Sequence, residues 1–138
     1  MNQYLTLLRS KGFRITKARK STLDYLMKQN CALSVKEVHQ FLCDEGLSTD
    51  LSTVYREMQF LHEQHIVREV VFKDTLMRYE LDSPHHHHHL ICTACDKVEL
   101  VHMEEALHEL EQGILKDQNF SVTSHMLEFY GLCSLCHC

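Results

Sequence analysis

The sequence contains little that would place the chain in a membrane or outside the cell. Among its 138 residues, no apolar run approaches the roughly 20 residues that span a bilayer. The N-terminus, Met-Asn-Gln-Tyr, lacks the charged and apolar regions of a secretory signal. These absences predict a cytoplasmic protein. In that compartment, seven cysteines indicate metal or thiol chemistry rather than a disulfide framework.

Proline is also scarce, and the single proline, Pro84, separates two segments of opposite charge. Residues 1–28 carry seven basic residues and one acid, whereas residues 85–138 carry two basic residues and eight acids. The net charge of −5 alone argues against nucleic acid, but the basic segment suggests that one domain binds a polyanion. A solvated basic helix is the alternative. We predict domains over 1–82 and 85–138, joined by a hinge at 83–84.

Two Cys-x-x-Cys pairs stand near the two ends of the second segment. They are formed by Cys92 with Cys95 and by Cys133 with Cys136. Four thiolates in two such pairs suit a tetrahedral structural zinc ion, and one pair alone would be a weaker signal. A redox pair or buried free thiols are the alternatives. Cys138 could replace Cys136, although the spacing favours Cys136.

Five consecutive histidines, residues 85–89, precede the first cysteine pair. Successive side chains of a β-strand point to opposite faces. His86 and His88 would therefore share one face, and His85, His87 and His89 the other. The run predicts ligands for two distinct metal sites.

The pattern over residues 1–81 predicts short helices followed by a hairpin. Suitable N-terminal caps for three of these helices are Thr16, Ser34, and either Asp50 or Ser52. The connection between the last two helices is short, which predicts a helix-turn-helix. Residues 66–72 and 77–81 read as two strands, in the position of a wing. Beyond Pro84 we expect strands near 86–92, 97–101, 120–124 and 126–131 and a helix near 103–117. The fold class is α+β, a winged helix-turn-helix followed by a small α/β domain.

Four stretches together resemble the ferric uptake regulator superfamily of bacterial metalloregulators. They are Gly12-Phe-Arg-Ile-Thr16 with Arg19, Ser52-Thr-Val-Tyr-Arg56, His85 to Cys92 with Cys95, and His125 to Cys133 with Cys136. The resemblance covers essentially the whole chain. It implies an N-terminal winged helix that binds DNA, a C-terminal dimerisation domain, a homodimer, and DNA binding switched on by a metal.

The resemblance also implies which side chains contact double-stranded DNA. The N-terminal end of a recognition helix reaches base edges in the major groove. The residues expected to touch DNA are Arg14, Lys17, Arg19, Ser52, Thr53, Tyr55 and Arg56. Among them, Tyr55 can pack on thymine methyl groups, Arg56 can hold phosphate or guanine, and Arg14 suits a narrow minor groove. The alternative is that Tyr55 packs in the core. A twofold dimer predicts an A·T-rich inverted-repeat operator.

Two regulatory sites follow from the resemblance. The first is a His-rich site formed by His86, His88, His108 and His125. The second is a hinge site formed by Glu80, His87, His89, Glu99 and Cys31. Ala32 occupies the approximate place of a family histidine, so either the neighbouring Cys31 replaces that ligand or the site closes with four ligands. The alternative for His108 is that it is a surface residue and that Glu104 or Glu105 serves as the ligand instead. The alternative for Cys31 is that it is a thiol of the core.

The expected function is repression of metal-uptake genes by a regulator that Fe(II) or Zn(II) activates, with Zn(II) also structural. Imidazole ligands suit both metals, whereas carboxylate ligands favour iron. The first site, as predicted, contains no carboxylate, and this favours zinc there. A peroxide sensor is less expected, because that branch of the family relies on Asp ligands. The protein is not expected to be an enzyme. A metal-storage protein or chaperone, or a zinc hydrolase, are the alternatives from other classes, although no His-Glu-x-x-His motif is present.

Overall fold

The computed structural model describes residues 2–84 and 87–137, and it divides into two compact units, residues 1–82 and 83–138. Within the described ranges, no helix combines the length and the apolar character needed to cross a bilayer. The elements, in chain order, are α1 (Gln3–Ser10), α2 (Lys17–Gln29), β1 (Leu33–Ser34), α3 (Val35–Asp44), α4 (Leu51–Glu63), β2 (Val67–Val71), β3 (Met77–Leu81), β4 (His88–Cys92), β5 (Val98–Val101), α5 (Glu104–Gln118) and β6 (Glu128–Gly131).

Side-chain caps begin α2, α3 and α4 where the sequence predicted them. The Thr16 hydroxyl accepts the backbone N–H of Arg19 at 3.1 Å and begins α2. Ser34 begins α3 in a reciprocal capping box with Glu37. Asp50, rather than Ser52, begins α4. Each cap contributes about 1 kcal/mol, and together they set the positions of α3 and α4.

Two glycines follow helices in the left-handed backbone region. Gly12 has φ of +83° directly after the α1 cap, and Gly46 has φ of +77° after α3. Glycine adopts this conformation without the steric penalty of a Cβ atom. Gly46 therefore allows the short turn between α3 and α4 that makes these helices a helix-turn-helix.

A continuous apolar core joins the helices of the N-terminal unit to a three-stranded sheet. The inward-facing residues of α4 are buried as the sequence predicted, and Tyr79 of β3 is fully buried beside them. The sheet has the order β1-β3-β2, with all pairs antiparallel. The predicted hairpin is confirmed by β2 and β3. The third strand, β1, was not expected, because it has two residues and its Ser34 also caps α3.

The C-terminal unit contains a second sheet with the order β5-β4-β6. The central strand, β4, is antiparallel to β5 and parallel to β6. Three of the four strands predicted for this region are present, but the strand expected at 120–124 is not formed. Strand propensity depends on a neighbouring edge, and no strand in the described part of the unit hydrogen-bonds to this segment.

Helix α5 is incompletely covered within the single chain. Every residue of α5 is at least partly exposed, including Leu110 at 61%. Phe120, just beyond the helix, is 62% exposed. Among the described residues of this unit, the buried apolar ones are Ile91, Cys92 and Val98 of the sheet. The unit therefore has a small core and a large uncovered apolar surface.

Candidate metal centres and nucleic-acid interface

The ends of β4 and β6 bring the two cysteine pairs together. These strands are parallel, and Cys92 lies opposite Gly131, so the turns that follow them are neighbours. The backbone N–H of Thr93 donates to the carbonyl of Gly131 at 2.8 Å. The N–H of Cys133 donates to Cys92 Sγ at 3.4 Å. The sulfurs of Cys92, Cys95, Cys133 and Cys136 all lie within 4.8 Å of one another.

The spacing of these sulfurs fits a zinc ion. A tetrahedral zinc with Zn–S bonds of about 2.3 Å places its sulfur ligands about 3.8 Å apart. Cys95 Sγ and Cys133 Sγ are 3.8 Å apart. The donor set therefore fits the structural zinc that the sequence predicted, since all four positions are thiols and none is left open.

Hydrogen bonding distributes protons unevenly within the cysteine cluster. Donation from the backbone N–H of Cys133, and then from that of Cys95, lowers the pKa of Cys92 to about 6. Hydrogen bonds with the thiols of Cys133, and then Cys95 and Cys92, raise the pKa of Cys136 to about 12. The Cys92 thiol therefore ionises more readily than an ordinary cysteine, whereas Cys136, with its raised pKa, must release a proton when it ligates zinc.

One face of β4 contributes to a second candidate metal centre. A cavity of about 620 Å³ in the C-terminal unit is lined by His88, His108 and His125. His88 is 5% exposed, and its ring centroid lies 5.1 Å from that of His125. His108 is exposed on α5 at the same cavity. His86, the fourth residue predicted for this site, lies outside the described residues.

A carboxylate missed by the sequence analysis belongs to this cavity. Glu111 Oε1 lies 2.6 Å from His125 Nδ1, and both side chains are about three-quarters buried. Metal-binding histidines commonly donate their second ring N–H to a carboxylate in this way. The cavity therefore contains carboxylates beside its imidazoles, including Glu104 and Glu105, which the sequence analysis offered as alternatives to His108. The spacing of three residues from His108 to Glu111 was the available signal.

The opposite face of β4 presents His87 and His89, whose ring centroids are 5.4 Å apart. His89 lies opposite Leu100, and Leu90 lies opposite Glu99. Directly opposed residues share a face of the sheet, so Glu99 is on the face away from His89. Glu99 instead pairs with Lys97 at 2.7 Å. The structure therefore does not bring Glu99 to these histidines as the resemblance implied.

The two N-terminal residues predicted for the hinge site have partners within their own unit. Glu80 of β3 is 2% exposed and pairs with Arg68 at 2.6 Å. Cys31 is half-buried and packs against the N-terminal core. Ala32, at the approximate place of the family histidine, is buried.

Helix α4 has one buried face and one exposed face. Val54, Met58 and Leu61 are buried, as expected. Tyr55 is 46% exposed, so the alternative that it is a core residue is wrong. The other predicted contact residues of this helix, Ser52, Thr53 and Arg56, are also exposed. Hydrogen bonds from the Thr53 side chain and then its backbone N–H hold the pKa of the Asp50 carboxyl below its usual range.

Of the three basic residues predicted to contact DNA near the start of α2, two are exposed and one forms an ion pair within the unit. Arg14 and Lys17 are exposed. Arg19 is instead held by both carboxylate oxygens of Glu57 at 2.7 and 3.0 Å. Its guanidinium lies 4.0 Å from the ring centroid of Phe60 and donates to the carbonyl of Arg14 at 2.6 Å. Arg19 therefore fixes the segment that carries Arg14, and its own charge is already paired.

Comparison with known proteins shows which family the chain resembles over most of its length. The ferric uptake regulator family matches residues 10–130 of the chain. The peroxide-responsive repressor of Staphylococcus saprophyticus is 33% identical over 132 residues, which cover 96% of this chain and 88% of that protein. The ferric uptake regulation protein of Bacillus subtilis is 31% identical over 134 residues, which cover 94% of this chain and 89% of that protein.

Solved structures show the same architecture. The ferric uptake regulator of Vibrio cholerae superposes with a TM-score of 0.76 at 29% identity, covering 93% of this chain and 98% of that chain. A zinc-bound manganese uptake regulator superposes with a TM-score of 0.81 at 26% identity, covering 93% and 96%. These proteins have an N-terminal DNA-binding domain followed by a dimerisation domain, which confirms the predicted fold class.

Proposed function

The chain belongs to the ferric uptake regulator family, and from that premise we propose that it is a homodimeric repressor of metal-uptake genes. Relatives in this family are metal-responsive transcriptional regulators rather than enzymes. Fe(II) or Zn(II) is the proposed activating metal, and an additional Zn(II) at the four cysteines is the proposed structural metal. The observation that carries the proposal is that one chain combines the exposed Tyr55–Arg56 face of a recognition helix with buried histidine clusters.

The N-terminal unit supplies the proposed DNA contacts. Tyr55 and Arg56 extend from the exposed face of α4, while the opposite face of the same helix is fixed in the core. Arg14 is exposed and its backbone is fixed by Arg19. A rigid helix with a pinned basic segment suits simultaneous contact with base edges and phosphates.

The C-terminal unit supplies the proposed metal-dependent switch. His88, His125 and Glu111 come from β4, the segment before β6, and α5, so ligation at this cavity would fix three separate parts of the unit. When bound, a divalent cation supplies the positive charge that holds imidazole and carboxylate donors together. We also propose that Glu80, His87 and His89 serve as the hinge ligands, as the family resemblance implies. Donors on both sides of residues 83–84 would then favour the DNA-competent arrangement over others.

The side chains that line the cavity are compatible with both Fe(II) and Zn(II). The carboxylates among them strengthen the case for Fe(II). Sequence reasoning favoured zinc at the cavity because it recognised only imidazoles there. Glu111 orients His125 from outside the donor set, whereas Glu104 and Glu105 line the same cavity and offer carboxylate donors. Mixed imidazole and carboxylate sets suit Fe(II) as well as Zn(II). Relatives include both a ferric uptake regulation protein and a peroxide-responsive repressor. We therefore treat Fe(II) and Zn(II) as equal candidates.

The uncovered apolar surface of the C-terminal unit suits a second copy of the chain. Leu110 and Leu115 of α5, Phe120, and Phe129 of β6 are each more than 40% exposed. Apolar surface of this extent in a soluble chain marks an interface. A twofold dimer would present two α4 helices, and so we propose an A·T-rich inverted repeat as the operator.

The test is a metal titration of DNA binding. Protein reconstituted with one zinc per chain is titrated anaerobically with Fe(II) and, separately, with Zn(II). Binding to a labelled A·T-rich palindrome is followed by fluorescence anisotropy. We expect metal to increase affinity and added salt to decrease it, because phosphate contacts release counterions. Metal uptake without any DNA binding would instead indicate a storage protein or metal chaperone.

A substitution at the cavity separates sensing from folding. Glu111→Gln removes the charge that orients His125, and we expect the affinity of the regulatory metal to fall by about 10- to 100-fold. Metal affinity is measured by competition with a chromophoric chelator. Glu109→Gln is the matched control, since Glu109 is exposed on the same helix and does not line the cavity. Equal affinities for the two variants would show that the Glu111–His125 pair does not serve a metal.

A further inference from the structure

The segment between β5 and α5 carries a histidine that the established family resemblance does not use. His102 directly follows β5, and its ring centroid lies 6.4 Å from that of His87. The ring of His87 in turn lies 5.4 Å from that of His89. Three imidazoles from one unit therefore gather on one side of the sheet.

The strand register explains this grouping. His88 lies opposite Val101 and His89 lies opposite Leu100. Continuing the antiparallel register by one residue places His87 opposite His102. Directly opposed side chains share a face, so His102 belongs to the face of His87 and His89. Glu99 belongs to the other face, where it pairs with Lys97.

We propose that His102, rather than Glu99, is the ligand that the β5 side of the sheet contributes to the metal site of His87 and His89. The inference rests on the proposed metal-dependent function and identifies a residue that determines the metal preference of that site. It replaces a carboxylate with an imidazole and makes the contribution of the C-terminal unit a three-histidine set.

The distances are compatible with one ion. Two imidazoles on a tetrahedral zinc, with Zn–N bonds of about 2.0–2.1 Å, place their ring centroids about 5 Å apart. The separation of 5.4 Å for His87 and His89 is close to this value. The separation of 6.4 Å for His87 and His102 requires His102 to approach by about 1 Å. His102 is exposed and lies outside the strands, between β5 and α5, so this approach would be made by its side chain and the connecting segment rather than by the sheet.

The chemical consequence is a change in metal preference. Three neutral imidazoles favour Zn(II), Co(II) or Ni(II), whereas carboxylate oxygens favour Mn(II) and Fe(II) relative to these ions. A site that gains His102 and lacks Glu99, with Glu80 as its proposed carboxylate ligand, should therefore shift its preference from Mn(II) toward Zn(II) or Co(II).

The test uses full-length protein with zinc at the four cysteines and Co(II) as the spectroscopic probe. The variants are His102→Ala, His102→Asp and Glu99→Gln. We expect His102→Ala to weaken Co(II) at this site by at least about 10-fold and to change the d–d absorption of the bound ion. His102→Asp should restore binding but shift the preference toward Mn(II). Glu99→Gln should retain the affinity and spectrum of the unsubstituted protein.

The opposite pattern, in which Glu99→Gln loses Co(II) and His102→Ala does not, would overturn the assignment. Unchanged spectra in both His102 variants would overturn it equally. Circular dichroism melting of each variant establishes that the chain is folded. Because metal affinity is measured without DNA, failure of the unsubstituted protein to bind an operator would count against the proposed function and leave the test of His102 intact.

Discussion

Replacing Cys133 by serine is expected to abolish stoichiometric zinc and to remove the cooperative folding of the C-terminal unit. The physical reason is the size of its core, which among the described residues contains three buried apolar side chains in the sheet and none in α5. A net stability of about 5–15 kcal/mol is usual for a domain. Structural zinc contributes an apparent binding free energy of about 10–16 kcal/mol near neutral pH. In a unit with so small a core, zinc binding therefore contributes more to the stability of the fold than burial of apolar side chains does.

The measurement combines zinc content by elemental analysis with thermal unfolding followed by circular dichroism. Cys43→Ser is the matched control, because Cys43 is an exposed thiol on α3 that is not part of the four-cysteine cluster, and its Sγ lies 3.5 Å from His39 Nε2. It should keep one zinc and an unchanged transition. A Cys133→Ser protein that still binds one zinc tightly and melts at the same temperature would show that the four cysteines are not a structural site.

Chelation should reproduce the effect of the substitution and reveal its pH dependence. Each ligand must be a thiolate when zinc is bound, and Cys136 holds its proton with a pKa of about 12 in the metal-free cluster. Zinc binding therefore releases protons, and the affinity falls as pH falls. A chelator should consequently unfold the C-terminal unit at a lower concentration at pH 6 than at pH 8.

Local patterns explain most of what could be read from the sequence. Helix caps such as Ser34 with Glu37 depend on residues three positions apart, and the two cysteine pairs depend on spacing within single turns. Alternation along the histidine run correctly separated His87 and His89 from His88. These features are encoded within a few residues, so no knowledge of tertiary packing was needed to recognise them.

Features that depend on strand register, or on a contact between residues far apart in the sequence, could not be predicted from local patterns. Glu99 lies in β5 and His102 directly follows it, and only the pairing of His89 with Leu100 assigns each to a face of the sheet. Glu111 became recognisable only when α5 was placed beside His125. The segment 120–124 has the composition of a strand, but in the described single chain no neighbouring strand pairs with it.

The exposed face of α4 leads to a prediction of large effect on DNA binding. Arg56→Ala should lower affinity for the palindromic operator by about 1–3 kcal/mol per half-site, because a base or phosphate contact is lost from each recognition helix. Tyr55→Ala should cost a similar amount for sequences with thymine at the contacted position. Neither should change thermal stability appreciably, since Tyr55 is 46% exposed and Arg56 is also exposed. Lys28→Ala, an exposed charge at the end of α2, is the control for net charge.

Arg19→Ala should behave differently from Arg56→Ala, although the sequence placed both arginines at the DNA. Arg19 pairs with Glu57 with side-chain exposures of 13% and 18%, so its loss should reduce the free energy of unfolding by about 1–3 kcal/mol. DNA affinity should also fall, through release of the Arg14 backbone, but Glu57→Gln should reproduce part of that fall without removing any positive charge. Denaturant unfolding and anisotropy titrations over a range of salt concentrations distinguish the two roles. An Arg19→Ala protein of unchanged stability, with a reduced salt dependence of binding, would show that Arg19 contacts phosphate directly.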